Sequence, residues 1–350
     1  MVLDATLPYD TSLKSIPAAA QAAELFGFSA LWTAETQHDP FLPGPLIALH
    51  TTRVRFGTAI AVAFARSPAT LAYTAWDLAA ASGGRFILGL GTQVKPHIER
   101  RFGMPWPESA TGKLREQIQA IRALWQAWQT GERLNFRGQY YKLTLMSPFF
   151  NPGPIEHPDI PIFIAGVNTG LARLAGEIAD GFHVHPLHSA RYLRGVLIPA
   201  IEEGAARAGR TRASVQITCP VFIATTLEEQ QFARQQIAFY ASTPSYRAVM
   251  DLHGWHDTAE ELSALASRGK WEKMSALITE DMLHAFAVIA EPASLAEALK
   301  SRYNAAGIVN ASSIANAAPE NAALADRLTP YLPFIPGERD KFWKKLAAAF

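Results

Sequence analysis

Phe86-Ile87-Leu88-Gly89-Leu90-Gly91 is a six-residue run without a polar side chain, preceded by a helical stretch, 70–82, that closes on Gly83-Gly84. A strand apolar at every position, not at alternate ones, suits a parallel sheet buried on both faces. Seven more short runs of this kind occur: Val2-Leu3-Asp4-Ala5-Thr6-Leu7, Ala30-Leu31-Trp32-Thr33-Ala34-Glu35, 54–62, Ile162-Phe163-Ile164-Ala165-Gly166, 181–185, 215–225 and 307–314. Helical stretches separate them at 17–26, 70–82, 112–130, 171–178, 190–208 and 293–304. Eight strands, nearly all followed by a helix, predict an α/β fold, the (β/α)8 TIM barrel, which carries its chemistry on the loops at the carboxyl ends of the strands.

The 350 residues are expected to form one barrel domain, 1–350, with two insertion segments, since such barrels with insertions exceed the usual domain length. Segment 134–161 reads as a β-hairpin around Phe136-Arg137-Gly138-Gln139-Tyr140-Tyr141, then an extended proline-rich arm through Pro148, Pro152, Pro154, Pro158 and Pro161. Segment 235–286, after the seventh run, is helical and aromatic, with Phe239, Tyr240, Tyr246, His253, Trp255 and Trp271. It is expected on the catalytic side of the barrel, as a lid, a packing excursion or a dimer surface. A net charge of +1 gives no reason to expect nucleic acid or an anionic membrane as partner. The single cysteine, Cys219, excludes an intramolecular disulfide framework, and neither a signal peptide nor a membrane span is visible. The expected setting is a reducing cytoplasm.

The strand ends hold the candidate chemistry. Glu35-Thr36-Gln37-His38-Asp39-Pro40 places two carboxylates and an imidazole within five residues of one another at the catalytic rim, where a histidine can exchange a proton near neutral pH. The plainer reading has Asp39 capping a turn before Pro40 and His38 merely exposed. After the fourth run come Thr92, Gln93 and Lys95; the Gly89-Leu90-Gly91 pair does not extend to a dinucleotide fingerprint. The fifth run ends Ala165-Gly166-Val167-Asn168-Thr169-Gly170 immediately before a helix, either an anion site suited to phosphate or an ordinary capped loop. His183 and His185 lie two apart on the sixth run and so face the same way, into the barrel mouth. They invite a metal, but the surrounding strand ends offer no clear ligand set, and none is assigned.

Taken together, Trp32-Thr33-Ala34-Glu35, Gly57-Thr58-Ala59-Ile60, Arg85-Phe86-Ile87-Leu88-Gly89-Leu90-Gly91-Thr92 and Ala175-Gly176-Glu177-Ile178-Ala179-Asp180-Gly181-Phe182 resemble the bacterial-luciferase-like superfamily across almost the whole chain. More narrowly, Glu35 to Phe41, Phe64-Ala65-Arg66-Ser67-Pro68 and Tyr240 to Trp255 resemble a branch of oxidoreductases that use the deazaflavin coenzyme F420. The resemblance implies a phosphorylated tricyclic ring across the strand ends, with coenzyme F420 as cofactor and FMN as the alternative. It implies phosphate on Gly166, Val167, Asn168, Thr169 and Gly170, and contacts from Thr92 and Gln93. A non-prolyl cis peptide at Ala59-Ile60 behind the ring and Glu35 beside it are implied too, with His38 and Asp39 flanking the reacting end.

Two departures matter: Thr36, not histidine, follows Glu35, and Val94 stands where a catalytic acid often follows the Gly-Thr pair. They argue against a sugar-phosphate dehydrogenase and leave His38 as the expected proton-transfer group, with His185 as competitor. The expected reaction is hydride transfer between F420 and a small organic substrate. The alternatives are an FMNH2-dependent monooxygenase fed by a separate reductase, and a non-catalytic flavin-binding barrel. A homodimer is expected from similar barrels.

Overall fold

The computed structural model describes residues 1–304 and 323–350. Eight parallel strands close a barrel: β1 (Val2–Leu3, continued at Ala5–Thr6), β2 (Ala30–Thr33), β3 (Arg55–Thr58, continued at Ala61–Val62), β4 (Phe86–Gly91), β5 (Ile162–Gly166), β6 (Gly181–Val184), β7 (Gln216–Ala224) and β8 (Arg327–Pro330). Closure is through β1, whose Val2 pairs with Arg327 of β8 and whose Ala5 pairs with Leu31 of β2. The predicted TIM barrel is therefore the fold, and its mouth lies where the sequence places it.

The closing strand differs from expectation. The run 307–314 lies outside the described residues, and the strand seated between β7 and β1 is Arg327–Pro330. Arg-Leu-Thr-Pro has one aliphatic residue, so a search for apolar runs passes over it. Its arginine is tolerated inside the barrel because Asp4 of β1 receives it in a fork, Nε on Oδ2 at 2.8 Å and Nη2 on Oδ1 at 2.6 Å. Trp32 Nε1 also donates to Asp4 Oδ2, at 2.9 Å. A buried charge pair is retained only when its remaining hydrogen-bonding capacity is met in this way.

The barrel interior is a small core of its own, made by Ala30, Trp32, Ile87 and Phe163. Two glycines on the neighbouring strands make room for it. A Cβ on Gly57 would stand 2.9 Å from the Trp32 ring, and one on Gly181 would stand 2.5 Å from the Phe163 ring. Large rings opposite residues without side chains fill the tapering interior at solid-like density.

Around the barrel lie α1 (Ile16–Phe26), α2 (Pro43–His50), α3 (Pro68–Ser82), α4 (Ala110–Thr130), α5 (Thr169–Ile178), α6 (Ile198–Arg207), α7 (Leu227–Ala241) and α8 (Leu295–Tyr303). Local chemistry sets their ends. Ser67 Oγ accepts from Thr70 N at 3.1 Å, with Pro68 as first helical residue, and Ser109 Oγ accepts from Gly112 N at 3.1 Å. Gly83 and Gly131 then end α3 and α4 in the left-handed conformation open to glycine. The stretch expected as one helix over 190–208 is interrupted by a π-turn at Leu193–Leu197 before α6. Pro199 has no N–H for the Gly195 carbonyl, and a widened turn accommodates that loss. Segment 134–161 contains an antiparallel pair, Phe136–Arg137 with Lys142–Leu143. Segment 235–286 is mostly helical, and its Gln236 and Tyr240 reach the barrel mouth.

Candidate active site

A cavity of about 340 Å³ opens at the carboxyl ends of the strands. Trp32, His183, Thr218 and Thr329 line it from inside the barrel, Gly166 from the end of β5, Ala59, Ile60 and Gln93 from the loops, and Tyr240 from α7. A larger groove of about 830 Å³ lies at the opposite end of the barrel, beside Arg122, Glu177, Asp180 and Arg210. Its charges serve the fold: Arg122 holds Asp180 at 3.0 Å, and Arg115 holds Glu177. The mouth is the better candidate, because barrel enzymes build their sites there.

Of the residues selected from the sequence, Glu35, Ala59, Ile60, Gln93, Gly166 and His185 meet in this cavity. The Ala59–Ile60 peptide bond is cis, at the break between the two halves of β3. Gln93 has φ +59°, a region that few side-chain-bearing residues adopt. Its side-chain oxygen accepts from Val94 N at 3.0 Å, while Thr92 Oγ1 bonds the Gln93 carbonyl at 3.1 Å.

His38 and Asp39 stand apart, in a neighbouring cleft of about 260 Å³ that shares Leu7, Pro8, Tyr9 and Ala34 with the mouth. His38 is exposed. Asp39 does cap the turn, accepting from Phe41 N at 2.8 Å. Arg66 bridges the two carboxylates, 2.7 Å from Glu35 and 2.8 Å from Asp39, and Glu35 also accepts from Val62 N at 2.6 Å. Their geometry is that of a clamp between the loops after β2 and β3. The paired carboxylates in turn raise the Arg66 pKa against the opposing effect of its burial.

Val167, Asn168, Thr169 and Gly170 lie outside the lining of the cavity, at the start of α5. Asn168 occupies the cap position without capping: its amide donates to the Ser245 carbonyl at 2.9 Å and ties this loop to the aromatic insertion. The first turn of α5 carries no side-chain cap. The Val167 carbonyl accepts from the Tyr192 hydroxyl at 3.1 Å.

His183 of β6 and His185, directly after it, both line the mouth, and both are neutral at pH 7. Burial, with the Arg327 charge behind it, pushes His183 down to about 3; burial, with His188 nearby, does the same for His185. His185 Nδ1 accepts from Leu187 N at 3.1 Å, which leaves its proton on Nε2. Its ring packs against Tyr240 and Tyr246, with centroids 4.8 and 4.3 Å away. Among the described residues no three His, Cys, Asp or Glu side chains gather as a metal site.

Sequence reading overlooked Thr6, Tyr9, Thr218, Thr329 and Tyr331, all of which line the mouth. Thr329 lies in β8 and Tyr331 follows it directly, in a stretch that forms no apolar run. One signal pointed to them: Asp4, a carboxylate inside an apolar run, requires a buried cation, and Arg327 brings β8 with it. His183 Nε2, Thr218 Oγ1 and Thr329 Oγ1 are buried and find no partner among the described residues.

The profile of the luciferase-like monooxygenase family matches residues 2–310. An uncharacterized protein of Mycobacterium tuberculosis is 47% identical over 306 residues, covering 86% of this chain and 89% of that one. An F420-dependent glucose-6-phosphate dehydrogenase of Intrasporangium calvum is 30% identical over 253 residues, 68% of this chain and 72% of that one. The fold is shared with the coenzyme F420 dependent tetrahydromethanopterin reductase of Methanopyrus kandleri, with TM-score 0.75, 21% identity, and 99% and 96% coverage of the two chains. With a closed barrel, a mouth built on its strand ends and a family match along most of its length, the chain belongs to the luciferase-like monooxygenase family of F420- or flavin-dependent oxidoreductases.

Proposed function

We propose that this protein is an F420-dependent oxidoreductase acting on a small organic substrate. The observation that carries the reading is the polar floor of the mouth. Among the described residues His183 Nε2, Thr218 Oγ1 and Thr329 Oγ1 find no partner there, and polar atoms buried in that state favour a ligand that completes them. A flat heteroaromatic ring with carbonyl and N–H groups on its edge fits such a floor, with Ala59 and Ile60 as the small and aliphatic wall behind it. The F420-dependent relative at 30% identity favours the deazaflavin over FMN.

When bound, the deazaflavin supplies a carbon that accepts or donates hydride. The protein's part is to hold, orient and exclude water. In this assignment Gln93 and His185 contact the ring region, and Thr92 lies behind them. Gly166, Val167, Asn168, Thr169 and Gly170 place the uncapped first turn of α5 against the phosphate. Glu35 and Asp39, held by Arg66, fix the rim, and His38 exchanges a proton with solvent at its edge. A homodimer and a cytoplasmic setting belong to the same proposal; among the described residues no helix is long and apolar enough to cross a membrane.

Titration of the full chain with oxidised F420 and with FMN, followed by absorbance and fluorescence, tests the reading. Tighter binding of F420 is expected. Preferential binding of FMN would turn the assignment to a monooxygenase supplied with reduced flavin, and binding of neither would overturn it.

A further inference from the structure

We infer that the mouth admits an uncharged substrate bearing a hydroxyl or carbonyl oxygen, and that the phenols of Tyr9, Tyr240 and Tyr331 receive that oxygen. The inference deepens the proposed function and rests on it for the reaction, though not for the binding.

The first ground is charge. Among the described residues lining the mouth there is no lysine or arginine, and the one carboxylate, Glu35, is neutralised by Arg66. Both histidines in the lining are neutral, for the reasons given above. Arg327, a cation inside the barrel, is forked onto Asp4 beside Trp32. The stretch 305–322 contains no lysine, arginine or histidine in its sequence, so it brings no cation either. A phosphate or carboxylate entering this cavity would lose water and gain no counter-charge, which is strongly unfavourable. The I. calvum relative is named for a phosphorylated sugar; among its described residues this mouth has no cationic side chain to hold such a group.

The second ground is the phenol chain. Tyr9 comes from the loop after β1, Tyr331 from the end of β8 and Tyr240 from α7, and all three line the mouth. The Tyr331 hydroxyl is 3.0 Å from that of Tyr9 and 2.5 Å from that of Tyr240. Burial keeps Tyr240 protonated, its pKa pushed up to about 12, and raises that of Tyr331 further. Three neutral phenols own three O–H donors, and two contacts between them use two. One donor and several lone pairs remain for a ligand oxygen. The walls beside them, Leu7, Pro8, Phe232 and Leu332, suit an apolar body. A neutral molecule with one polar end matches both surfaces.

The test is calorimetric binding to the full chain, with and without F420, using benzyl alcohol, benzyl phosphate and toluene as probes. Benzyl alcohol is expected to bind at least tenfold more tightly than benzyl phosphate. Tyr331→Phe should weaken benzyl alcohol about fivefold, the worth of one hydrogen bond, and leave toluene unchanged. Tyr240→Phe, with the same expectation, serves if the first variant does not fold. Benzyl phosphate binding as tightly as the alcohol would overturn the inference, as would phenylalanine variants that bind all three probes like the wild type. Because binding is read without cofactor, failure of F420 to bind would sink the proposed cofactor and leave this result standing.

Discussion

Lowering the pH from 7 to 5 is expected to remove about 4 kcal/mol of folding stability through two histidines alone. His183 and His188 are 5% and 2% exposed. Burial, helped by Arg327, lowers His183 to about 3; burial also lowers His188 to about 4, although its Nδ1 lies 2.9 Å from the His185 carbonyl. In the unfolded chain each titrates near the ordinary value of about 6.5. Below that pH the unfolded state takes up protons that the native state refuses, so stability falls with pH and levels off only near 3–4, where the native side chains titrate. Each histidine contributes almost nothing at pH 7 and about 2 kcal/mol of loss at pH 5. The pair thus removes a large part of a total that is typically about 5–15 kcal/mol. The half-buried His185 works in the same direction, and the exposed His256, raised by its hydrogen bond to Asp251, works against it. Burial also raises the Asp4 and Asp77 carboxyls, Asp4 against the opposing pull of Arg327, so the substitution at His183 is what isolates the histidine share. Urea unfolding followed by circular dichroism at pH 7, 6 and 5 measures the slope, and His183→Gln should remove about half of the pair's share. A stability constant within about 1 kcal/mol over this range, or a slope untouched by the substitution, would refute the assignment of both rings as neutral.

Arg66→Met leaves the Glu35 carboxylate, 7% exposed, with only the Val62 amide, and is expected to cost about 2–3 kcal/mol in urea unfolding. Adding Glu35→Gln should recover much of that loss, since an amide needs no counter-charge; no recovery would mean that the clamp is not electrostatic. His38→Ala should leave stability and F420 affinity unchanged, because the side chain is exposed in a side cleft, and should lower hydride-transfer turnover at least tenfold. Unaltered turnover would remove His38 from the mechanism and leave the phenol chain as the proton route.

Residues that act through local backbone chemistry were legible in the sequence. The unbroken apolar run Phe86–Gly91 announces a strand buried on both faces, Gly83 and Gly131 announce helix ends, and the spacing of His183 and His185 places both rings in the mouth. Each follows from the two-residue repeat of a strand or from the conformational freedom of glycine, which neighbours in sequence already settle. The site was legible only in outline. Glu35, Asp39 and His38 lie within five residues in sequence, yet Arg66 clamps the two carboxylates while Glu35 lines the mouth and His38 and Asp39 line a neighbouring cleft.

Sequence by itself determined the barrel, the end of it that carries the site, and the small-residue loops around the mouth, because strand and helix periodicity are local. Only the tertiary structure decided which strand closes the barrel and which phenols meet above it. Asp4 and Arg327 lie 323 positions apart, and the paired Tyr9 and Tyr331 lie 322 apart. Charge pairing and hydrogen bonding at such separations exist only after the chain has closed on itself, so no pattern within a strand or helix records them.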